Sequence, residues 1–221
     1  MVLFNNKELV KRFLSSILIF PLVVFIIFYG SILFNLFLLF CFCIAIYEWT
    51  SMVKKKLYYF AGIIFLIFSF YLSYKLYNLS NEHIYFIFVL LVCISTDIGG
   101  FMFGKIFKGP KLTSISPNKT YMGMFGGFIL SIVLAILFFQ IFLNLNENSL
   151  FQYKIYILAI LISSVSQLGD IVISYFKRIY NVKDTGNIIP GHGGLLDRID
   201  GMIFAFPFSY IVLSTNIIIK L

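Results

Sequence analysis

Residues 166–201 read SQLGDIVISYFKRIYNVKDTGNIIPGHGGLLDRIDG, and this stretch decides how the rest of the chain is interpreted. It concentrates charged side chains in a sequence that is 61% hydrophobic and 12% charged. Ionised groups beside long apolar runs are costly in a membrane unless they act together. The stretch contains the acids Asp170, Asp184, Asp197 and Asp200 and the bases Lys177, Arg178, Lys183 and Arg198.

The spacing around Asp170 predicts a polar stripe along one face of a helix. Ser174 follows Asp170 at i+4, and Lys177 and Arg178 follow at i+7 and i+8. Residues at these spacings lie above one another on a helix. The sequence therefore predicts a carboxylate within an apolar helix, a hydroxyl one turn later and two cations at the helix end.

A glycine-rich loop, residues 186–194, follows the stripe. Glycine lets successive backbone N–H groups turn toward one point, which creates a concave site for an anion. Asp197 and Asp200 come directly after the loop at i and i+3, so both can face the same site from the start of a helix. The glycines of the loop are Gly186, Gly191, Gly193 and Gly194.

This combination favours phosphoryl or nucleotidyl transfer, in which catalysis consists mostly of positioning and charge neutralisation. Asp170, Asp197 and Asp200 are the expected Mg²⁺ ligands, since Mg²⁺ takes a few carboxylates and leaves other positions to water and phosphate. Lysine, arginine and backbone N–H groups would bind the remaining phosphate charge. A structural alternative for Asp197 and Asp200 is the capping of a helix N-terminus, and the two roles can coexist.

Two sequence patterns carry a family resemblance. From Ser174 to Asp200 the chain reads S-x-x-K-R-x4-K-D-x-G-x3-P-G-H-G-G-x-L-D-R-x-D, which resembles the signature of the phosphatidate cytidylyltransferases (CDP-diacylglycerol synthases). Residues 97–123, DIGGFMFGKIFKGPKLTSISPNKTYMG, resemble an upstream segment of the same family. The resemblance covers the chain from Asp97 onward. It departs at Met122, where the family usually has Glu.

The resemblance implies the reaction CTP + phosphatidate → CDP-diacylglycerol + diphosphate, with Mg²⁺, a possible second cation and a homodimeric enzyme. The residues expected in catalysis are Asp170, Lys177, Arg178, Lys183, Asp184, Asp197, Arg198 and Asp200. The residues expected to bind substrate are Asp97, Lys119, Thr120, Ser174, Gly191, His192, Gly193 and Gly194.

Several of these residues have a structural alternative that the sequence leaves open. Thr120 and Lys119 could cap a helix and anchor it at the membrane surface instead of binding phosphate. Arg198 could pair with Asp170 or Asp200, and His192 could bond to the backbone. Glu48, next to Trp49, is expected at the membrane interface.

Seven apolar runs, each near the ~20 residues that cross a ~30 Å hydrocarbon core, predict an all-α polytopic integral membrane protein. We expect a polar funnel open to the cytoplasm, with N-terminal membrane helices in residues 1–96 and a catalytic membrane region in residues 97–221. Glycines at 100, 104, 123, 126 and 127 are expected to let helices pack closely. The runs are 13–29, 32–49, 57–77, 83–103, 123–143, 153–176 and 202–219.

The distribution of basic residues predicts the orientation. With the N-terminus in the cytoplasm, fourteen of the 17 Lys and Arg residues fall in the cytoplasmic segments 1–12, 50–56, 104–121 and 177–201. The other three are Lys75, Lys154 and Lys220. This asymmetry is typical of a bacterial inner membrane protein and places both motifs on the side that holds nucleotides.

The remaining composition excludes other classes of function. The net charge of +8 comes from residues at the ends of apolar runs, which argues against nucleic-acid binding. Cys41, Cys43 and Cys93 lie within apolar runs and give no metal or disulfide pattern. Two rival functions remain: a related lipid enzyme, such as a polyprenol kinase or an ether-lipid CDP synthase, and an ion-coupled transporter that uses Asp97 and Asp170.

Overall fold

The computed structural model describes residues 21–80, 83–113, 116, 119–143, 149–188 and 193–215. These residues are predominantly α-helical, and the β-type pairing among them is an isolated bridge between Lys111 and Thr120. The all-α prediction is confirmed. The helices are α1 (described over residues 21–29), α2 (Ser31–Met52), α3 (Lys56–Tyr77), α4 (Ile84–Phe107), α5 (Tyr121–Leu143), α6 (Ser149–Ile179), α7 (Leu196–Ile199) and α8 (Met202–Ser214).

Five helices, α2 to α6, are long and apolar enough to cross a membrane, which confirms a polytopic integral membrane protein. Helices suit this environment because each backbone polar group finds its partner within the same segment. The first predicted run is described as helix only over residues 21–29. The last is described as the 13-residue helix α8, with its final residues outside the described part of the chain.

The chain forms two compact units. The first contains the described residues up to Phe70 together with Phe176–Ile199, and the second contains Tyr71–Tyr175 together with the described residues from Asp200. Helices α3 and α6 therefore contribute residues to both units. These compact units do not test the predicted division into N-terminal helices (residues 1–96) and a catalytic region (residues 97–221), which stays a prediction.

In the second unit, α4 and α5 cross so closely that glycine is required at the contact. A Cβ atom on Gly123 would lie 2.7 Å from the carbonyl oxygen of Gly100, and one on Gly126 would lie 2.8 Å from that of Gly99. Real Cβ atoms do not approach a backbone oxygen so closely, so the two helices could not keep this distance with alanine. The close packing predicted for the glycines at 123 and 126 is confirmed, whereas a Cβ on Gly100 would meet the oxygen of Gly123 at an ordinary 3.7 Å.

In the first unit, Trp49 fixes the end of α2. Its indole Nε1 donates a hydrogen bond to the carbonyl oxygen of Tyr59 at 3.3 Å, and its ring meets the ring of Phe176 edge to face with centroids 5.0 Å apart. A Cβ on Gly62 would overlap the indole, so α3 presents its backbone to the ring. This packing determines where the neighbouring residue, Glu48, points.

Candidate active site

The first unit holds a group of interactions around Asp197, which we call the Asp197 cluster: Lys177, Thr185, Gly194 and Asp197. Asp197 Oδ1 lies 2.8 Å from Lys177 Nζ. Asp197 Oδ2 accepts hydrogen bonds from the backbone N–H groups of Thr185 at 2.8 Å and Gly194 at 3.0 Å. Because the Asp197 side chain is only 6% exposed, its charge is balanced almost wholly by these donors.

The turn at Gly193 explains how the glycine-rich loop meets Asp197. Gly193 has φ +84°, a left-handed conformation that side chains with a Cβ rarely adopt. A Cβ there would also lie 3.1 Å from Asp197 Oδ2 and 3.2 Å from the Cβ of Asp184. The structure thus brings Gly193, Asp184 and Asp197 together, with Asp184 exposed.

Glu48 has contacts that sequence reasoning missed. It lies near the end of α2, is 1% exposed, and its carboxylate contacts both ends of the glycine-rich loop. The expected position of Glu48 at the membrane interface stays a prediction. Its Oε1 accepts the N–H of Leu195 at 2.9 Å, and its Oε2 accepts the N–H of Leu196 at 2.8 Å. The Thr185 hydroxyl lies 3.0 Å from Glu48 Oε2 and 3.1 Å from Asp197 Oδ2, so it bridges the two carboxylates.

A signal for this role was present in the sequence. Glu48 is the only acidic or basic residue between positions 31 and 52. An acid inside an apolar span is a functional candidate by default, and the same argument applies to Asp170.

The second unit holds a separate group, which we call the Asp170 cluster: Lys119, Asp170 and Ser174. Lys119 Nζ forms an ion pair with Asp170 Oδ2, and the Ser174 hydroxyl donates to Asp170 Oδ1 at 3.2 Å. The side chains of Lys119 and Asp170 are 24% and 30% exposed. The predicted i, i+4 contact between Asp170 and Ser174 is confirmed, and Lys119 joins them from the loop before α5.

The backbone around Lys119 is ordered by hydrogen bonds of its own loop. The carbonyl oxygen of Lys119 accepts the N–H of Leu112 at 2.8 Å, beside the bridge between Lys111 and Thr120. Thr120 Oγ1 accepts the N–H of Gly123 at 3.1 Å, which caps the start of α5. The capping alternative for Thr120 is therefore confirmed, while phosphate contacts of Thr120 and Lys119 stay predictions.

Asp200 also lies in the second unit and is 9% exposed. Its Oδ1 accepts the N–H of Gly201 at 2.8 Å. A Cβ on Gly169 would lie 2.9 Å from the carbonyl oxygen of Asp200, so the backbone of Asp200 packs on the residue that precedes Asp170. This close approach needs glycine at position 169.

The other predicted site residues are placed as follows. Asp97 on α4 is exposed, as are Arg178 at the end of α6, Lys183 and Arg198. Gly191 and His192 lie outside the described residues, so the structure gives no position for the predicted phosphate contact of His192.

The residues that the structure describes include no group of three or more His, Cys, Asp or Glu side chains that could hold a metal ion. The chemistry of Asp170 fits Mg²⁺, because it is a partly exposed carboxylate and Mg²⁺ binds oxygen ligands. The oxygens of Asp197 are instead occupied by Lys177, Thr185 and Gly194. The expectation that Asp170, Asp197 and Asp200 bind one ion stays a prediction.

The fold and these clusters define a polytopic helical membrane protein whose lysine–carboxylate pairs and glycine-rich turn are of the kind that handles phosphate groups. A sequence model described as the cytidylyltransferase family matches residues 57–216 of the chain. The chain belongs to this family.

Curated relatives agree with that assignment. The chain is 35% identical over 208 residues to a phosphatidate cytidylyltransferase of Rickettsia typhi, covering 92% of this chain and 91% of the relative. It is 35% identical to the Rickettsia bellii protein of the same name, over 94% of this chain and 92% of the relative. The match to the Bacillus subtilis protein of that name is 42% identical and spans 62% of this chain and half, 50%, of the relative.

Proposed function

We propose that this protein is a phosphatidate cytidylyltransferase, which transfers the cytidylyl group of CTP to phosphatidate and releases diphosphate. The observation that carries the proposal is the family match over residues 57–216, which includes both sequence motifs. Its charged residues have defined partners in the structure: Asp197 pairs with Lys177, and Asp170 pairs with Lys119.

The reaction is an in-line substitution at phosphorus. A phosphate oxygen of phosphatidate attacks the α-phosphorus of CTP and forms a new P–O bond, while the bond to the β-phosphate breaks and its electron pair leaves with diphosphate. No protein nucleophile is required, since the lipid phosphate is already anionic. The chain's task is to hold two anions close together despite their repulsion.

Cationic groups and backbone N–H groups supply that attraction in our proposal. Lys177, Lys183 and Arg198 lie in the stretch 177–198, beside the glycine-rich loop in sequence. Lys183 and Arg198 are exposed, so a phosphate can reach both side chains from solvent. Lys119 would contribute in the same way on the side of Asp170.

Mg²⁺ is the cation we propose for the reaction, with Asp170 as its first protein ligand and Asp197 and Asp200 as further candidates. Bound there, Mg²⁺ would neutralise part of the negative charge of the nucleotide phosphates. Asp170 suits this role because it combines a carboxylate with partial exposure. The second cation named above remains part of the proposal.

We further propose that the site faces the cytoplasm of a bacterial inner membrane and that the enzyme is a homodimer. The excess of Lys and Arg in the segments that contain both motifs supports the orientation. The dimer rests on the family resemblance alone.

The test is incorporation of labelled CTP into lipid by the purified protein in detergent micelles that contain phosphatidate. We expect a labelled liponucleotide and an equal amount of diphosphate with Mg²⁺, and neither product with chelator. A polyprenol acceptor, an ether-lipid phosphate and the other nucleoside triphosphates are tested in parallel. Production of diphosphate without any gradient separates an enzyme from a transporter, and absence of any CTP-dependent lipid product would refute the proposal.

A further inference from the structure

We propose that Glu48 is a positioning residue that fixes both ends of the glycine-rich loop, and thereby the geometry of Asp197 and Lys177. Glu48 lies nine positions before the first residue matched by the family model, in the N-terminal part of the chain. The inference about turnover rests on the proposed function, whereas the inference about the loop does not.

The contacts of Glu48 reach residues on both sides of the loop. On the entry side, the Thr185 hydroxyl lies 3.0 Å from Oε2. On the exit side, Oε1 and Oε2 accept the N–H groups of Leu195 and Leu196 at 2.9 and 2.8 Å. One carboxylate therefore joins two chain positions about ten residues apart to helix α2, and it satisfies backbone donors at the start of α7 that lack helical partners.

The glycines that flank these contacts show how tightly the carboxylate is enclosed. A Cβ on Gly186 would lie 2.6 Å from Glu48 Oε1, and one on Gly194 would lie 2.5 Å from Glu48 Oε2. Such contacts are below any distance that a real Cβ adopts. The loop ends can therefore approach Glu48 only because both positions are glycine.

The link to the charged residues runs through Thr185 and Gly194. Thr185 and Gly194 both donate backbone N–H groups to Asp197 Oδ2, and Asp197 Oδ1 holds Lys177. Removing Glu48 would free the loop ends that fix the orientation of Asp197. A shift of this kind lowers turnover more than substrate affinity, because reacting groups lose their alignment.

The first experiment measures the loop directly, without reference to the reaction. In the full-length protein in detergent, trypsin cleavage after Lys183 and Arg198 is followed by mass spectrometry, with cleavage after Lys108 as the internal reference. Lys183, Arg198 and Lys108 are all exposed. We expect Glu48→Gln and Glu48→Ala to raise cleavage at the first two sites about tenfold relative to Lys108, because hydrogen bonds to a buried charge are lost.

The second experiment measures turnover of the same variants. We expect Glu48→Gln to lower kcat by about 10- to 100-fold with less than threefold change in KM for CTP, and Glu48→Asp to recover part of the loss. Ser51→Ala is the matched control, since the Ser51 hydroxyl donates to the backbone oxygen of Glu48 at 2.9 Å and not to its carboxylate. This control should leave both kcat and the cleavage pattern unchanged.

A double-mutant cycle keeps the inference testable if Glu48→Gln yields little protein. Gly186→Ala alone should open the loop, because its Cβ meets Glu48 Oε1. In the Glu48→Ala background the same substitution should have no further effect, since the obstructing carboxylate is gone. Equal effects of Gly186→Ala in both backgrounds would overturn the proposal.

The outcomes separate this inference from the proposed function. Wild-type cleavage at Lys183 and Arg198 in Glu48→Gln, or unchanged kcat per folded molecule, would refute the positioning role. If the wild-type protein forms no liponucleotide, the proposed function fails, and the cleavage data alone then decide whether Glu48 holds the loop.

Discussion

The two carboxylate clusters of this protein differ in exposure and in how many groups of the protein bind to their oxygens. Asp197 is 6% exposed and is surrounded by Lys177 and by donors from Thr185 and Gly194. Asp170 is 30% exposed and has Lys119 and one serine hydroxyl as its partners. The carboxylate of Asp197 organises the surrounding chain, whereas the carboxylate of Asp170 remains partly exposed.

This difference separates two kinds of functional residue that look alike in the sequence. Both aspartates lie in the stretch 166–201, and each pairs with a lysine. Loss of a carboxylate that organises the chain should reduce stability and activity together. Loss of a carboxylate that binds an exogenous cation should reduce activity alone, and the following variants test that distinction.

Asp170→Asn should have the largest effect on activity. The amide preserves the size of the side chain but removes the charge that attracts a cation, so we expect CTP incorporation to fall by about 10³-fold, the equivalent of several kcal/mol. Thermal unfolding in detergent should change little, because the pair with Lys119 is partly exposed and such pairs contribute about 0–1 kcal/mol. Turnover close to wild type would remove Asp170 from the catalytic set.

Asp197→Asn should reduce both stability and activity. The amide leaves Lys177, whose side chain is 13% exposed, without its anionic partner, and breaking a buried pair costs about 3 kcal/mol. We expect a clear drop in the unfolding temperature together with an activity loss of about 10²-fold per folded molecule. If Asp197→Asn were inactive but as stable as wild type, the organising role assigned to Asp197 would be wrong.

Gly194→Ala tests the close approach of the loop to Glu48. Its Cβ would lie 2.5 Å from Glu48 Oε2, so the loop must move, and we expect about a tenfold loss of kcat. Gly100→Ala is the matched control, because its Cβ would meet the oxygen of Gly123 at an ordinary 3.7 Å. If both substitutions lowered kcat equally, contact with Glu48 would not explain the effect at position 194.

Much of the fold could be predicted from the sequence because the membrane constrains it strongly. Apolar runs of about 20 residues must be helices, so α2 to α6 were identified from composition alone. The i, i+4 contact between Asp170 and Ser174 follows from helix geometry in the same way. These features depend on residues close together in the chain.

The partners of the charged groups could not be predicted, because they depend on contacts between distant segments. Glu48 is separated from Thr185 by 137 residues, and no local pattern connects them. The sequence suggested Arg198 as one possible partner of Asp170. The structure instead pairs Asp170 with Lys119. Spacing predicts which residues share a helix face, and packing decides which face meets which loop.

Met122→Glu should have the smallest effect and tests the position at which the chain departs from the family pattern. The residue is 37% exposed, and it follows Thr120, the cap of α5, by two positions. Position 122 is exposed in the first turn of α5, so stability should change by no more than about 0.5 kcal/mol, and activity should stay within about twofold of wild type. The measurement is kcat and the Mg²⁺ dependence of CTP incorporation, with Met122→Gln as the uncharged control. A large gain from Glu but not from Gln would mean that a further carboxylate contributes to activity at this position and that its absence limits the present chain.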